Sequence, residues 1–314
     1  MSGYHEPTWA DERDSRLLAE VRDRAWAGYA YADALPRLGL SAAGVPALTG
    51  IHPDRVGRYV VLTVRDPLAG HAGRSHAETL ASAFGPAEPA GSSSLFDAWT
   101  APLGDERVTV ISTGSGSPEL ELVLVELMQH TPADVLIYFG TAAGLHPYVH
   151  PGHVVVATGV VRGEATTRAY IDSSFPAAPH HDVVSALLAG ARDESVAAVT
   201  GITRSTDSDI LGNGRPSVGG YFQPELRDTI DYWVRAGVLC NERESSAVVT
   251  LGSLFGRRTG VVLAVTDNYP NGRPLIIGAG VADATRTLVA GMRELEQQDR
   301  ERPRARETGW RAGA

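Results

Sequence analysis

Several places along the sequence group side chains or backbone that could do chemistry. The segment VTVISTGSGSPELELVLVELMQ sets Gly114 and Gly116 between an apolar run and the start of a helical pattern. Such a turn aims backbone N–H groups and the positive end of a helix dipole at an anion or polar ligand, although a strand-to-helix turn also needs small residues simply to pack. The apolar run 260–266 delivers Asp267 at its end, where catalytic groups of open α/β sheets collect; alternatively Asp267 only opens the Asp-Asn-Tyr-Pro turn. Glu242 and Glu244 read either as working carboxylates or as ordinary acidic residues in the first turn of a helix. Asn213 and Arg215 offer an amide and a guanidinium in what is otherwise a polar Gly-Asn-Gly turn. His146, His150 and His153 form one imidazole-rich stretch, and His180, His181 and Asp182 another. Pro147 and Pro151 prevent the helical spacing that would put the first set on one face, and no metal is expected.

The elements that must position these groups follow from hydrophobic periodicity. Short, nearly continuous apolar runs at Tyr59–Val64, 108–112, 135–139, 154–161, 197–202 and 260–266 read as strands of a sheet covered on both faces. Helical patterns fall between them at 118–130, 242–255 and 282–297, and the alternation predicts an α/β fold. Ser117 is expected to cap the first of these helices, with Pro118 at its first position. Leu17, Leu18, Val21 and Ala25 predict a further helix over 10–34, stopped by Pro36 and Gly39. The chain thus divides into an N-terminal helical extension and linker (1–58), a catalytic domain (59–298) and a polar, arginine-rich tail (299–314) expected to be disordered.

Composition narrows the function classes. With 314 residues, 43% of them hydrophobic, the chain can bury one large core. A net charge of −9 argues against a polynucleotide partner, which needs clustered Lys and Arg. A single cysteine, Cys240, excludes an internal disulfide and fits a reducing, cytoplasmic compartment. The N-terminal residues, with Glu6, Asp11, Glu12 and Asp14, lack the basic-then-apolar order of a signal peptide, and no membrane segment is expected.

Five segments in consistent order resemble the nucleoside phosphorylase superfamily, most nearly its uridine phosphorylase branch. ISTGSGSP is similar to that branch's STGIGGPS turn, FGTAAGL to IGTTGAI, and GVLCNERESSAVVTL to GVMNYEMESATLLTM; HPYVHPGHVVVATGVVR and GITRSTDSDILGNGR occupy the corresponding places between them. The resemblance spans roughly 59–295. It implies a single α/β domain with a central mixed, partly barrel-like sheet flanked by helices, and an enzyme that cleaves a small pyrimidine-like nucleoside by phosphorolysis. Inorganic phosphate would be co-substrate, and no cofactor or metal is implied. Family members assemble as dimers grouped into hexamers, so a homodimer or homohexamer is expected.

The resemblance also assigns roles. Glu244 would hold the ribose 2′ and 3′ hydroxyls, with Glu242 and Arg243 lining the sugar. Cleavage builds positive charge on the sugar, which a carboxylate there stabilises. Asp267, in a Val-Thr-Asp similar to the Val-Ser-Asp of purine-cleaving branches, would assist the departing base. Asn213 and Arg215 would read the base edge beside the Gly114 turn. The phosphate site departs most: Arg65 stands where glycine is expected, Arg74 substitutes for a displaced arginine, Tyr138 and Ser92 to Ser94 replace arginine positions, and Thr141 matches. Loss of arginines opens a hydrolytic alternative, in which His71 is the candidate base for water; a non-catalytic nucleoside-binding protein is the third reading.

Overall fold

The computed structural model describes residues 20, 41–42, 45–46, 48–69 and 75–301. The helix expected over 10–34 lies outside the described residues, residue 20 apart, as do His71, Arg74 and residues 302–314.

Nine strands form one sheet: β1 (Tyr59–Val64), β2 (Glu88–Ser92), β3 (Asp97–Leu103), β4 (Glu106–Thr113), β5 (Val135–Gly144), β6 (Val154–Gly163), β7 (Ala198–Thr206), β8 (Val238–Glu242) and β9 (Arg258–Asp267), in the order β8-β7-β6-β9-β5-β1-β4-β3-β2. Strands β4, β1, β5 and β9 run parallel, whereas β6 pairs antiparallel with β9. The sheet is therefore mixed. β8 pairs with β7 on one side and antiparallel with β5 on the other, through Cys240 opposite Gly144 and Asn241 opposite Ala143. That second pairing closes β5-β9-β6-β7-β8 into a ring and leaves β1, β4, β3 and β2 as an open wing, so the expected partial barrel is present.

The continuous apolar runs do what two-sided burial requires. On β1, Val60, Leu62 and Val64 enter one core while Tyr59 and Val61 enter the other; on β9, Val261, Leu263 and Val265 alternate likewise with Val262 and Ala264. Helices α2 (Ser117–His130) and α5 (Ser245–Leu254) cover the first face, α1 (His76–Ser82), α3 (His181–Asp193) and α6 (Val281–Glu301) cover the second, and the short α4 (Thr229–Arg235) packs beside β8. Helices α3 and α6 cross at two glycines. A Cβ on Gly190 would fall 2.3 Å from the Gly291 nitrogen, so only glycine permits this approach.

Three expectations about boundaries need correction. Ser117 does not cap α2: Gly116 holds the cap position at φ 103°, a conformation that favours glycine, and the Ser117 hydroxyl instead donates to the Arg243 carbonyl at 2.8 Å. Glu242 is the last residue of β8 rather than the start of a helix, and α5 begins only at Ser245. The tail does not begin at 299, because α6 continues through Glu301. Asp299 accepts from Arg258 at 2.5 and 2.7 Å and from the Tyr59 hydroxyl at 2.6 Å, bonds that pin the last turn of the helix to the sheet.

Candidate active site

The C-terminal ends of β1, β4, β5 and β9 face the same side of the sheet, and β8 runs back to meet them, so Asp66, Gly114, Thr141, Asp267 and the 242–244 segment converge. Glu244 is the centre of the arrangement. It is buried, and its Oε1 accepts from the Ser115 hydroxyl at 3.0 Å and the Gly116 N–H at 2.6 Å. Its Oε2 accepts from the Tyr138 hydroxyl at 2.8 Å and the Arg243 N–H at 3.1 Å. The glycine turn read from the sequence as an anion cradle thus cradles a carboxylate of the chain itself. Burial raises the Glu244 pKa, against the lowering effect of those donors.

Glu242 faces into the protein. Its Oε2 accepts from the Glu244 and Ser245 N–H groups at 2.6 and 2.7 Å, and its Oε1 accepts from the hydroxyls of Ser205 and, at 2.6 Å, Ser245. A carboxylate so engaged ties the start of α5 to the end of β7 and fixes the backbone that carries Glu244. Burial and the neighbouring charge of Glu244 push it up to about 7. Behind it, the Ser246 hydroxyl donates to buried Glu164 at 2.9 Å. Arg243 reaches outward, with Nη1 3.2 Å from the Ser115 hydroxyl and 3.6 Å from Asp209.

On the base side, Asp267 follows a register shift at the end of β9 and lies opposite Ala143. It is buried, Oδ1 has no hydrogen-bond partner among the described residues, and the Arg215 guanidinium lies 3.9 Å away. Burial raises the Asp267 pKa, and Arg215 partly offsets this. Arg215 also stacks over the Tyr269 ring at 4.8 Å. Asn213 is buried and accepts from Asn241 at 2.7 Å, which leaves the Asn241 Oδ1 buried without a partner among the described residues. Asp267 Oδ1 is thus a buried acceptor left unfilled beside the Arg215 guanidinium, and Asn241 Oδ1 is a second unfilled acceptor, at the end of β8.

On the nucleophile side, the Thr141 hydroxyl donates to Asp66 at 2.5 Å, and Asp66 also accepts from the Leu68 N–H at 2.8 Å. A cavity of about 590 Å³ opens beside them, lined by Arg65, Asp66, Ser75, His76, Phe96 and Asp97 among others. Arg65 is exposed and donates to the Ser94 carbonyl at 3.1 Å, so it does not converge with Thr141. Among the described residues of the cavity's lining, two carboxylates, Asp66 and Asp97, accompany one guanidinium, Arg65. His180, His181 and Asp182 have ligand atoms within 4.8 Å of one another at the start of α3 and are the group able to hold a metal ion among the described residues. They sit at the opposite end of β9 from Asp267, where the His180 N–H donates to the Thr259 carbonyl.

Sequence reasoning passed over Ser115, Tyr138 as a partner of Glu244, Asp66 and Asn241. Ser115 was findable as the residue between two glycines of a polar-ligand turn. Tyr138 was not, because its ring reaches Glu244 only through the closure of β8 against β5.

The Phosphorylase superfamily model matches residues 60–291. A uridine phosphorylase of Thermococcus kodakarensis is 32% identical over 206 residues, covering 66% of this chain and 73% of that protein. A uridine phosphorylase of Treponema pallidum is 32% identical over 219 residues, covering 70% and 81%. A guanosine phosphorylase of Halorubrum lacusprofundi is 28% identical over 165 residues, covering 52% and 63%.

Proposed function

Because the chain belongs to the Phosphorylase superfamily, we propose that it is a nucleoside phosphorylase cleaving a pyrimidine-like nucleoside to free base and ribose 1-phosphate. The observation that carries this reading is the buried Glu244 carboxylate, held from four sides at the meeting point of β4, β5 and β8. As the C1′–N bond lengthens, positive charge grows on the ribose and the carboxylate stabilises it more than it stabilises the neutral substrate. A phosphate oxygen forms the new bond to C1′, and the electron pair of the broken bond leaves with the base. The base takes a proton or a hydrogen bond from Asp267, whose raised pKa favours the protonated form. Arg215 donates to a base carbonyl, while Asn241, held by Asn213, accepts from a ring N–H. Those contacts favour a uracil-like edge.

One observation favours hydrolysis as the second reading. Among the described residues that line the adjacent cavity, Asp66 and Asp97 outnumber Arg65, and the phenol of Tyr138 stands where a cation was expected. Missing charge-assisted bonds to a dianion weaken its binding by about 1.5–3 kcal/mol each. Water would be held at Thr141 and would give its proton to Asp66. Incubation with a nucleoside panel, with and without phosphate and with base release followed by chromatography, separates the readings: release requiring phosphate supports phosphorolysis, equal release without it supports hydrolysis, and no release from any nucleoside overturns both. Assembly as a homodimer or homohexamer belongs to the same proposal. It is supported by exposed Val218, Tyr221, Ile276 and Ile277, and sedimentation of a monomer would refute it. No helix among the described residues is long and apolar enough to cross a membrane.

A further inference from the structure

Glu244 has no room for a sugar as it stands. In its carboxylate form it offers about four lone-pair sites, and four donors of the chain occupy them. Two of these, the Gly116 and Arg243 N–H groups, are backbone and fixed. The other two are the hydroxyls of Ser115 and Tyr138, which can turn about a single bond. Any sugar hydroxyl that donates to Glu244 must displace one of them.

The two hydroxyls differ in what they do when displaced. Ser115 already accepts a hydrogen bond from Arg243 at 3.2 Å and is partly open to solvent, so its proton readily finds another acceptor. Tyr138 is fully buried, and its ring is folded over Gly140, where a Cβ would stand 2.6 Å from the phenol oxygen. The ring cannot swing away, and only the O–H bond can rotate. A phenol held at that distance competes continuously for Oε2.

We propose that Tyr138 is a sugar-specificity residue whose hydroxyl competes with a ribose hydroxyl for Glu244, so that 2′-deoxyribose is accepted nearly as well as ribose. This rests on the reading that Glu244 binds the sugar. A ribonucleoside brings two hydroxyl donors and must displace both Ser115 and Tyr138. A 2′-deoxyribonucleoside brings one, displaces Ser115, and leaves the phenol in place with every lone pair of Glu244 still filled. The second ribose bond is thus exchanged for a lost phenol bond, and the net preference for ribose is small. Tyr138 acts through Glu244 and is a positioning residue in the reaction itself.

The test compares the full chain with its Tyr138→Phe variant on uridine against 2′-deoxyuridine, and on inosine against 2′-deoxyinosine. Phenylalanine keeps the ring over Gly140 and removes the competitor, so a deoxy substrate now leaves a lone pair of a buried carboxylate empty. Wild type should favour ribose by less than about tenfold in kcat/KM, and the variant should raise that ratio by about another tenfold, one hydrogen bond to a charged acceptor. An unchanged ratio, including equal loss on both sugars, overturns the proposal. No base release by wild type overturns the underlying reading instead. Should Tyr138→Phe fail to fold, Ser115→Ala removes the donor that both sugars displace, so it should lower KM for both sugars alike and leave their ratio as in wild type; a ratio raised about tenfold there overturns the exchange as well.

Discussion

Replacement of Glu244 by Gln tests the centre of the site with the least disturbance to its surroundings. Truncation to Ala would strand the Gly116 and Arg243 N–H groups and the Tyr138 phenol at once, and lost activity could then be blamed on lost structure. With Gln, the amide oxygen can stay at Oε1 and keep the Ser115 and Gly116 bonds. The amide nitrogen then replaces Oε2, where the Tyr138 hydroxyl turns to accept from it and only the Arg243 N–H is left facing a donor. One orphaned donor costs about 1–3 kcal/mol and lowers Tm by several degrees. The chemical loss is larger. A unit negative charge at roughly 4 Å from a developing cation, at an effective dielectric near 20, is worth about 4 kcal/mol, so kcat should fall by roughly 10²–10³-fold. Circular dichroism and thermal melting establish that the variant is folded, and initial rates of base release on the best substrate of the panel measure the loss. A folded Glu244→Gln enzyme that keeps kcat within tenfold of wild type would refute the assignment of sugar-charge stabilisation to this carboxylate.

Asp267→Asn should lower kcat by about 10²-fold, the usual contribution of a positioned general acid. In wild type the rate should decline as pH rises through the raised pKa of Asp267, and the variant should lose that decline; a variant whose profile still falls there places the acid elsewhere. Glu242 is raised from 4.5 to about 7, so the folded state binds its proton more tightly than the unfolded chain. Its contribution is complete below pH 4.5 and is lost as pH rises to about 7, a change of about 3 kcal/mol. Urea melts across that range should show the slope flattened in Glu242→Gln by comparison with wild type. Asp299→Ala removes the nearer of two carboxylates on Arg258, which is 5% exposed and keeps Asp134 at 3.4 Å, strands the Tyr59 hydroxyl, and should cost about 2–3 kcal/mol with KM unchanged. Although burial opposes it, the bonds from Arg258 and Tyr59 hold the Asp299 pKa below its ordinary 3.8, so the deficit of the variant should be full above that pH and shrink as pH falls below it. Denaturant titrations at two pH values check this.

The parts of the fold that were legible in the sequence are those where one physical signal dominates. Strands β1, β5, β6 and β9 are buried on both faces, and their unbroken apolar runs state this directly. β2 and β3 escaped because Pro89, Gly91 and Pro102 interrupt the pattern, as edge and near-edge strands permit. β8 escaped for a different reason. Its last two residues are Asn241 and Glu242, and an acidic residue before an apolar stretch reads as a helix start when the carboxylate's partners, Ser205 and Ser245, come from two separate elements. The tail was misjudged at its first residues because polar composition says nothing about a single aspartate that two distant strands hold. Of the site, the glycine turn, Glu244, Thr141 and Asp267 lie on segments that converge, whereas the ring closure that sets Tyr138 against Glu244 is a property of topology.

The charge layout of the site separates bond breaking from nucleophile delivery. After burial itself, Glu244, and behind it Glu242 and Asp66, raise the pKa of the Tyr138 phenol, so the surroundings of the sugar-holding carboxylate are negative. An environment of that sign lowers the energy of a cationic sugar and raises that of an approaching dianion. Among the described residues, Arg243 and Arg215 are committed to Ser115 and to Tyr269 with Asp267, and Arg65 points away to Ser94. Such a site favours a transition state in which the C1′–N bond is largely broken before the nucleophile bonds, because the pocket then meets a cation and not an anion at its most demanding step. The nucleophile in turn needs little activation, and a neutral or weakly held one suffices. Because Arg65 is turned to Ser94, Arg65→Ala should leave the dependence of the rate on phosphate concentration unchanged, and a clear rise in the KM for phosphate would instead place this arginine at the nucleophile.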